Sequence, residues 1–244
     1  MRKPARAAAH QSSSKHRPFP SGKATAKVGR PAKDSREKDA REAILDVAEE
    51  RFSKHGFHGV TVREVAAAAQ VNTALIHYYF NSKKELFDAV FMRRAEIVNR
   101  ERMDAMDNYE ATHGDGVTVE GAIAAFLRPV LVRLHEGGEG WRNYFALVGL
   151  VNSTTAFGGE VMTRYFDPVI HKLIDLIARA LPQATKEDLY WSYNFLSGSL
   201  TLSLAETGRI DLLSEGVCRS DDIPALEPRM IAYAAAGFRS VCGG

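Results

Sequence analysis

TVREVAAAAQVNTALIHYYFNSKKELFDAV, residues 61–90, packs three helix starts and two breaks into one short stretch. Thr61 and Glu64 have the spacing of a capping box, in which the hydroxyl accepts from an early helical N–H while the carboxylate reaches back. A short helix therefore begins near residue 62, with Val65, Ala66 and Ala69 facing inward. The segment QVN breaks it, and Asn72 or Thr73 can cap the next helix, which runs to Phe80. NSK interrupts again. Ser82 and Glu85 repeat the capping-box spacing at the head of a longer helix over 83–103, ahead of a polar, glycine-containing stretch around 107–118.

The segment TALIHYYF, residues 73–80, sets four rings side by side. A surface helix needs one apolar stripe, so these rings divide between tasks. At about 100° per residue, Ile76 and Phe80 share one face with Tyr79 beside them and Val71 leading in. Ala74, His77 and Tyr78 point the opposite way, flanked by Thr73 and Leu75. Upstream, in REAILDVAEERFSKHG, Ile44, Leu45, Ala48 and Phe52 recur at three- and four-residue spacing and Gly56 follows as a C-cap. Two short helices joined by a tight turn and packed on a longer one describe a helix-turn-helix, whose last helix anchors its back and offers polar and planar groups outward.

From about Ala40 to Phe91 the chain resembles the DNA-binding domain of the tetracycline-repressor (TetR) family. Phe52, Gly56, Thr61, Val62, Ile76, Tyr79, Phe80, Ser82, Lys83, Leu86 and Phe87 carry the resemblance in order. It implies that Thr61 caps against a phosphate and that Thr73 and Ala74 approach base edges. It implies too that His77, Tyr78 and Tyr79 touch backbone or thymine methyls and that Lys83 binds a phosphate. Arg63 and Leu75 complete the expected DNA-contacting set of this domain. Gln70 stands where the family's turn usually has Gly, so a left-handed backbone there costs about 1 kcal/mol. His77 replaces a frequent Tyr, and Leu75 a small or polar residue.

Charge is divided unevenly along the chain. Residues 1–33 hold nine Lys or Arg and no Asp or Glu, leaving 23 basic against 30 acidic side chains in the rest, although the net charge is only +2. The N-terminal stretch is rich in Ala, Ser and Pro without an apolar period, so residues 1–35 read as a disordered basic arm. Its prolines oppose the amphipathic helix of a transit peptide. KVGRPAK, residues 27–33, resembles the Gly-Arg-Pro core of AT-hook minor-groove binders. Arg30 and Lys33 are accordingly expected on DNA, with generic phosphate contact favoured over groove insertion.

After residue 91 the pattern stays helical, over about 119–136, 141–155, 160–181, 186–207 and 226–241, with breaks at Gly and Pro. No strand-like alternation or internal repeat stands out, so the fold class is all-α: a helix-turn-helix domain at 36–91 and a larger helical domain at 92–244. Aromatic and amide side chains concentrate in the latter. Most are expected in the core, yet an apolar cavity with a few polar groups is the usual form of a small-molecule site. Trp141, Tyr144, Phe145, Asn152, Phe157, Tyr165, Phe166, Tyr193 and Asn194 are the candidates for lining one. Small residues from Ser197 to Ser199 and from Ala234 to Gly237 permit close helix approach. By family resemblance the last two helices form a four-helix homodimer interface, with intrachain packing as the alternative.

Cys218 and Cys242 lack paired or ligand spacing. The histidines, among them His55, His58, His113 and His135, have no accompanying ligand pattern, so no metal or cofactor is expected. Neither GxSxG, P-loop nor HExxH occurs, and the chain does not read as an enzyme. No apolar run reaches the ~20 residues that a membrane span needs, and no apolar segment follows the basic start, so a cytoplasmic protein is expected. The expected function is a dimeric repressor on a near-palindromic double-stranded operator, released by a small lipophilic effector. A DNA-binding regulator without effector, and an all-α enzyme or binding protein with an appended helix-turn-helix, are the alternatives.

Overall fold

A computed structural model of the chain describes residues 33–154 and 158–243. The described residues form ten α-helices: α1 Lys33–His55, α2 Val62–Ala68, α3 Thr73–Phe80, α4 Lys83–His113, α5 Val119–Glu136, α6 Glu139–Asn152, α7 Gly158–Ala180, α8 Lys186–Leu204, α9 Arg209–Leu213 and α10 Ile223–Val241. The fold is all-α, with the three N-terminal helices leading into a larger helical region. Ile44, Leu45, Ala48 and Phe52 of α1 are buried with Val65, Ile76, Phe80, Leu86 and Phe87. Phe52 meets Phe87 edge to face at 5.2 Å. Gly56 sits at φ +66° just past α1, a conformation open to glycine.

Several boundaries differ from the sequence reading, most of them by about three residues, as at the ends of α6 and α8 and the start of α10. α1 starts at Lys33, inside the stretch read as arm. α4 runs ten residues beyond 103, through sequence read as a polar break. Its polar end is held by tertiary partners: Lys172 of α7 donates to Asp107 at 2.6 Å and to Glu110 at 2.5 Å, and Arg179 pairs with Glu110. The Tyr109 hydroxyl accepts from the Thr118 N–H at 2.8 Å, tying that end to the start of α5. The five-residue α9, in the connection from α8 to α10, was not anticipated.

α4 is the shared spine. It packs on α1, α5 and α7, while α1 also lies along α6. At this junction Glu49 of α1 is buried and accepts from Arg94 Nε at 2.6 Å, Arg94 Nη2 at 2.8 Å and Arg93 Nη2 at 2.9 Å. Gly140, in the first turn of α6, makes room for this group. A Cβ there would lie 2.1 Å from Arg94 Nη2.

Candidate nucleic-acid interface

The α2–turn–α3 unit is built almost entirely from local hydrogen bonds. The Thr61 hydroxyl accepts from the Glu64 N–H at 3.2 Å and donates to Glu64 Oε2 at 2.8 Å, while the Thr61 N–H donates to Glu64 Oε2 at 2.7 Å. The capping box is complete, and these bonds hold the Glu64 carboxyl below its usual range. α2 ends in a Schellman pair: Val71 N–H to Ala66 carbonyl at 2.9 Å and Gln70 N–H to Ala67 carbonyl at 3.2 Å.

Gln70 takes φ 55°, the left-handed backbone expected for the turn. Because its side chain is exposed, little but backbone strain is at stake. Gln70→Gly is expected to raise stability by about 1 kcal/mol. Urea unfolding checks this, and an unchanged or lower midpoint would contradict it.

Asn72 caps α3, its Oδ1 accepting from the Ala74 N–H at 2.8 Å. Ser82 caps α4 by accepting from the Glu85 N–H at 3.1 Å, but the reciprocal half of the expected box is absent. The Ser82 N–H turns back to the Phe80 carbonyl, and Glu85 instead accepts from Asn81 Nδ2 at 2.9 Å. The cause is the tight turn through Asn81, at φ 52°.

The rings of α3 divide as the helical wheel predicts. Ile76 and Phe80 are buried, and Leu75 and Tyr79 are half-buried against the core. Ala74, His77 and Tyr78 are exposed, Tyr78 by 71%. His77 Nδ1 lies 3.0 Å from the Asn81 carbonyl oxygen, which can only accept. Nδ1 therefore carries the proton in this contact. Thr61 and Arg63 are exposed and Thr73 is half-buried. Lys83 holds its Nζ over the Phe57 ring, 4.4 Å from the centroid. Arg30 lies outside the described residues, and Lys33 is described only as the first residue of α1.

The residues expected around a ligand separate into three groups. Tyr144, Phe145, Asn152, Phe166 and Tyr193 line a cavity of about 40 Å³ between α4, α5, α6, α7 and α8. Asn152 and Asn194 line an open cleft of about 660 Å³ between α6 and α8, which reaches Ser53 of α1. Trp141 and Tyr165 line neither. Trp141 is buried between the guanidinium groups of Arg94 and Arg133, at 5.1 and 5.0 Å, and Tyr165 packs near Phe91. Phe157 lies outside the described residues. Missing from the expected set is Arg102, which also lines the cavity. Its signal was present: Phe91, Ala95, Val98, Arg102 and Met106 form one buried stripe at helical spacing.

Comparison with known proteins places this geometry. The family described as "Bacterial regulatory proteins, tetR family" matches residues 44–90, and "Tetracyclin repressor-like, C-terminal domain" matches residues 124–237. The chain is similar to the HTH-type transcriptional repressor NicS of Pseudomonas putida, 42% identical over 50 residues, which are 20% of this chain and 24% of that protein. It is similar also to the HTH-type transcriptional regulator RutR of Escherichia coli K12, 39% identical over 57 residues, 23% of this chain and 27% of that one. The match thus spans about a quarter of these curated relatives.

Among solved structures, a TetR-like transcriptional regulator from Rhodococcus sp. RHA1 shares the fold with TM-score 0.56 and 21% identity, over 84% of this chain and 97% of that one. HlyIIR, a hemolysin II transcriptional regulator, does so with TM-score 0.53 and 16% identity, over 81% and 97%. With a matching model at each end and the same all-α architecture, the chain belongs to the TetR family of DNA-binding transcriptional regulators.

Proposed function

We propose that the chain is a ligand-responsive repressor that binds a near-palindromic operator as a homodimer. The observation that carries the reading is α3: a doubly capped helix whose back is in the core and whose exposed face holds Ala74, His77 and Tyr78. On this reading Thr61, Arg63, Thr73 and Lys83 flank that face as phosphate or base-edge contacts, with Leu75 and Tyr79 at its margin. The basic arm, with Arg30 and Lys33, adds non-specific affinity and salt sensitivity. The P. putida relative is called a repressor, which supports the repressing sense.

Dimerisation is supported by an uncovered stripe on α8, where Trp191, Phe195 and Leu202 are 54%, 58% and 68% exposed. Tyr233, 73% exposed, and Val241 continue it on α10. Two recognition helices on one operator must reach major grooves about 34 Å apart, which a dimer provides. An effector releases DNA only if it favours a conformer with a different spacing of those helices. Among the described residues no helix is long and apolar enough to cross a membrane. Action on DNA puts the proposed work in the cytoplasm.

Selection of bound DNA from a random pool tests the reading. The expected result is an inverted repeat whose half-sites are one helical turn apart, bound by a dimer in sedimentation. Enrichment of a single asymmetric site, or of none, would overturn it.

A further inference from the structure

Arg102 is 5% exposed, near the middle of α4, and among the described residues no carboxylate pairs with it. Its Nε donates to the Phe126 carbonyl at 3.1 Å, and its guanidinium lies 4.0 Å over the Phe126 ring. Pro129 lacks the N–H that would bond the Ala125 carbonyl, one residue before Phe126 in α5, so the Phe126 contact does not replace that bond. The carbonyl occupies Nε only. Neither terminal nitrogen has an acceptor among the described residues, although Arg102 lines the cavity.

A second polar atom in the same cavity is also unmatched. The Tyr144 hydroxyl is buried and has no hydrogen-bond partner among the described residues. Burial lowers the Arg102 pKa to about 10, so the group is still a cation at neutral pH, and burial pushes the Tyr144 phenol up, so it remains a neutral donor. A cation without an anionic partner in a mostly apolar wall is costly unless something of opposite sign joins it. The cavity therefore offers donors from two directions, and the acceptors in its wall, on Asn152, Tyr193, Ser197 and Thr201, are neutral.

The small cavity and the large cleft share Asn152, Ser197 and Thr201 in their walls. Between them Asn152 Nδ2 donates to Thr201 Oγ1 at 3.1 Å, bridging α6 and α8. About 40 Å³ takes a polar head but no effector body, whereas about 660 Å³ is within the range of small-molecule sites.

We propose that Arg102 and Tyr144 bind the carboxylate of an amphiphilic organic acid, whose apolar body lies in the α6–α8 cleft after the Asn152–Thr201 bond opens. This deepens the effector reading above and rests on it. The guanidinium donates to the carboxylate through its two terminal nitrogens and the tyrosine donates the third hydrogen bond. Entry wedges α6 from α8, and Ser53 at the mouth of the cleft puts α1 in the path of the body.

Calorimetry of the full chain with octanoate and phenylacetate, each beside its neutral amide, tests the assignment. Both acids are expected to bind wild type more tightly than their amides, and Arg102→Met to lose roughly 10- to 100-fold in acid affinity. Arg102→Met removes a buried charge, so its melting temperature is expected to hold. Should it not fold, Tyr144→Phe is expected to weaken the acids severalfold with an unchanged melting temperature. Acids that bind no better than amides, no binding of either acid, or equal acid affinity in wild type and the folded variant would each overturn the assignment. Amides that bind and release selected DNA would overturn it while sparing the effector reading. An acid that binds through Arg102 without changing DNA affinity would support the site and sink the effector reading.

Discussion

Glu49→Ala is expected to destabilise the folded chain by about 3–5 kcal/mol, the scale for removing one partner of a buried ion pair. Glu49 leaves 2% of its side chain to solvent and accepts three guanidinium N–H bonds from Arg93 and Arg94. Arg93 keeps Asp46 at 2.7 Å and Glu42 at 3.4 Å after the substitution. Among the described residues Arg94 then keeps its stacking on Trp141 and no carboxylate, so its charge is stranded between α1, α4 and α6. The surface pair Lys54–Glu50, 2.7 Å long and roughly half exposed at both ends, is the control. Lys54→Ala is expected to cost less than about 1 kcal/mol, since water replaces an exposed partner. Urea unfolding of the two variants checks both. Equal losses would show that the Glu49 cluster is solvated as freely as the surface and does not hold the helices together.

Tyr78→Ala is expected to lower affinity for the selected operator roughly tenfold or more, the scale of one base or groove contact, with no change in unfolding. With 71% of Tyr78 exposed, truncation removes a ring that the core does not use. The ring's contact with Tyr79, 5.2 Å between centroids, is all that α3 itself loses. Lys83→Ala is a poorer probe, because the ammonium also sits on Phe57 and its loss alters packing as well as charge. Fluorescence anisotropy at fixed salt makes the measurement. Wild-type affinity in Tyr78→Ala would remove the exposed face of α3 from the proposed interface.

What the sequence disclosed follows the range of the interactions. The caps at Thr61, Asn72 and Ser82 join atoms within three residues of each other, so both partners are readable side by side and α2 and α3 came out near their observed bounds. The end of α4 did not, because Asp107 and Glu110 find Lys172 and Arg179 on a distant helix. Until that packing is known, such a run looks like a linker. Glu49 and Arg102 are hard to read from the sequence for a related reason. Each lies on an apolar stripe at helical spacing, where a charged side chain invites reading as an interruption rather than as a buried group. Aromatic content alone does not separate cavity from core: Trp141 lies beside two arginines, whereas the cavity's charged residue is Arg102.

The two-sidedness of α3 also bears on how such a regulator diversifies. Ile76 and Phe80 answer to the core, whereas Ala74, His77 and Tyr78 are outside it. Selection on the outer three codons therefore meets almost no folding penalty. After a gene duplication, one copy can change its outer face through those codons while its helical body is inherited intact.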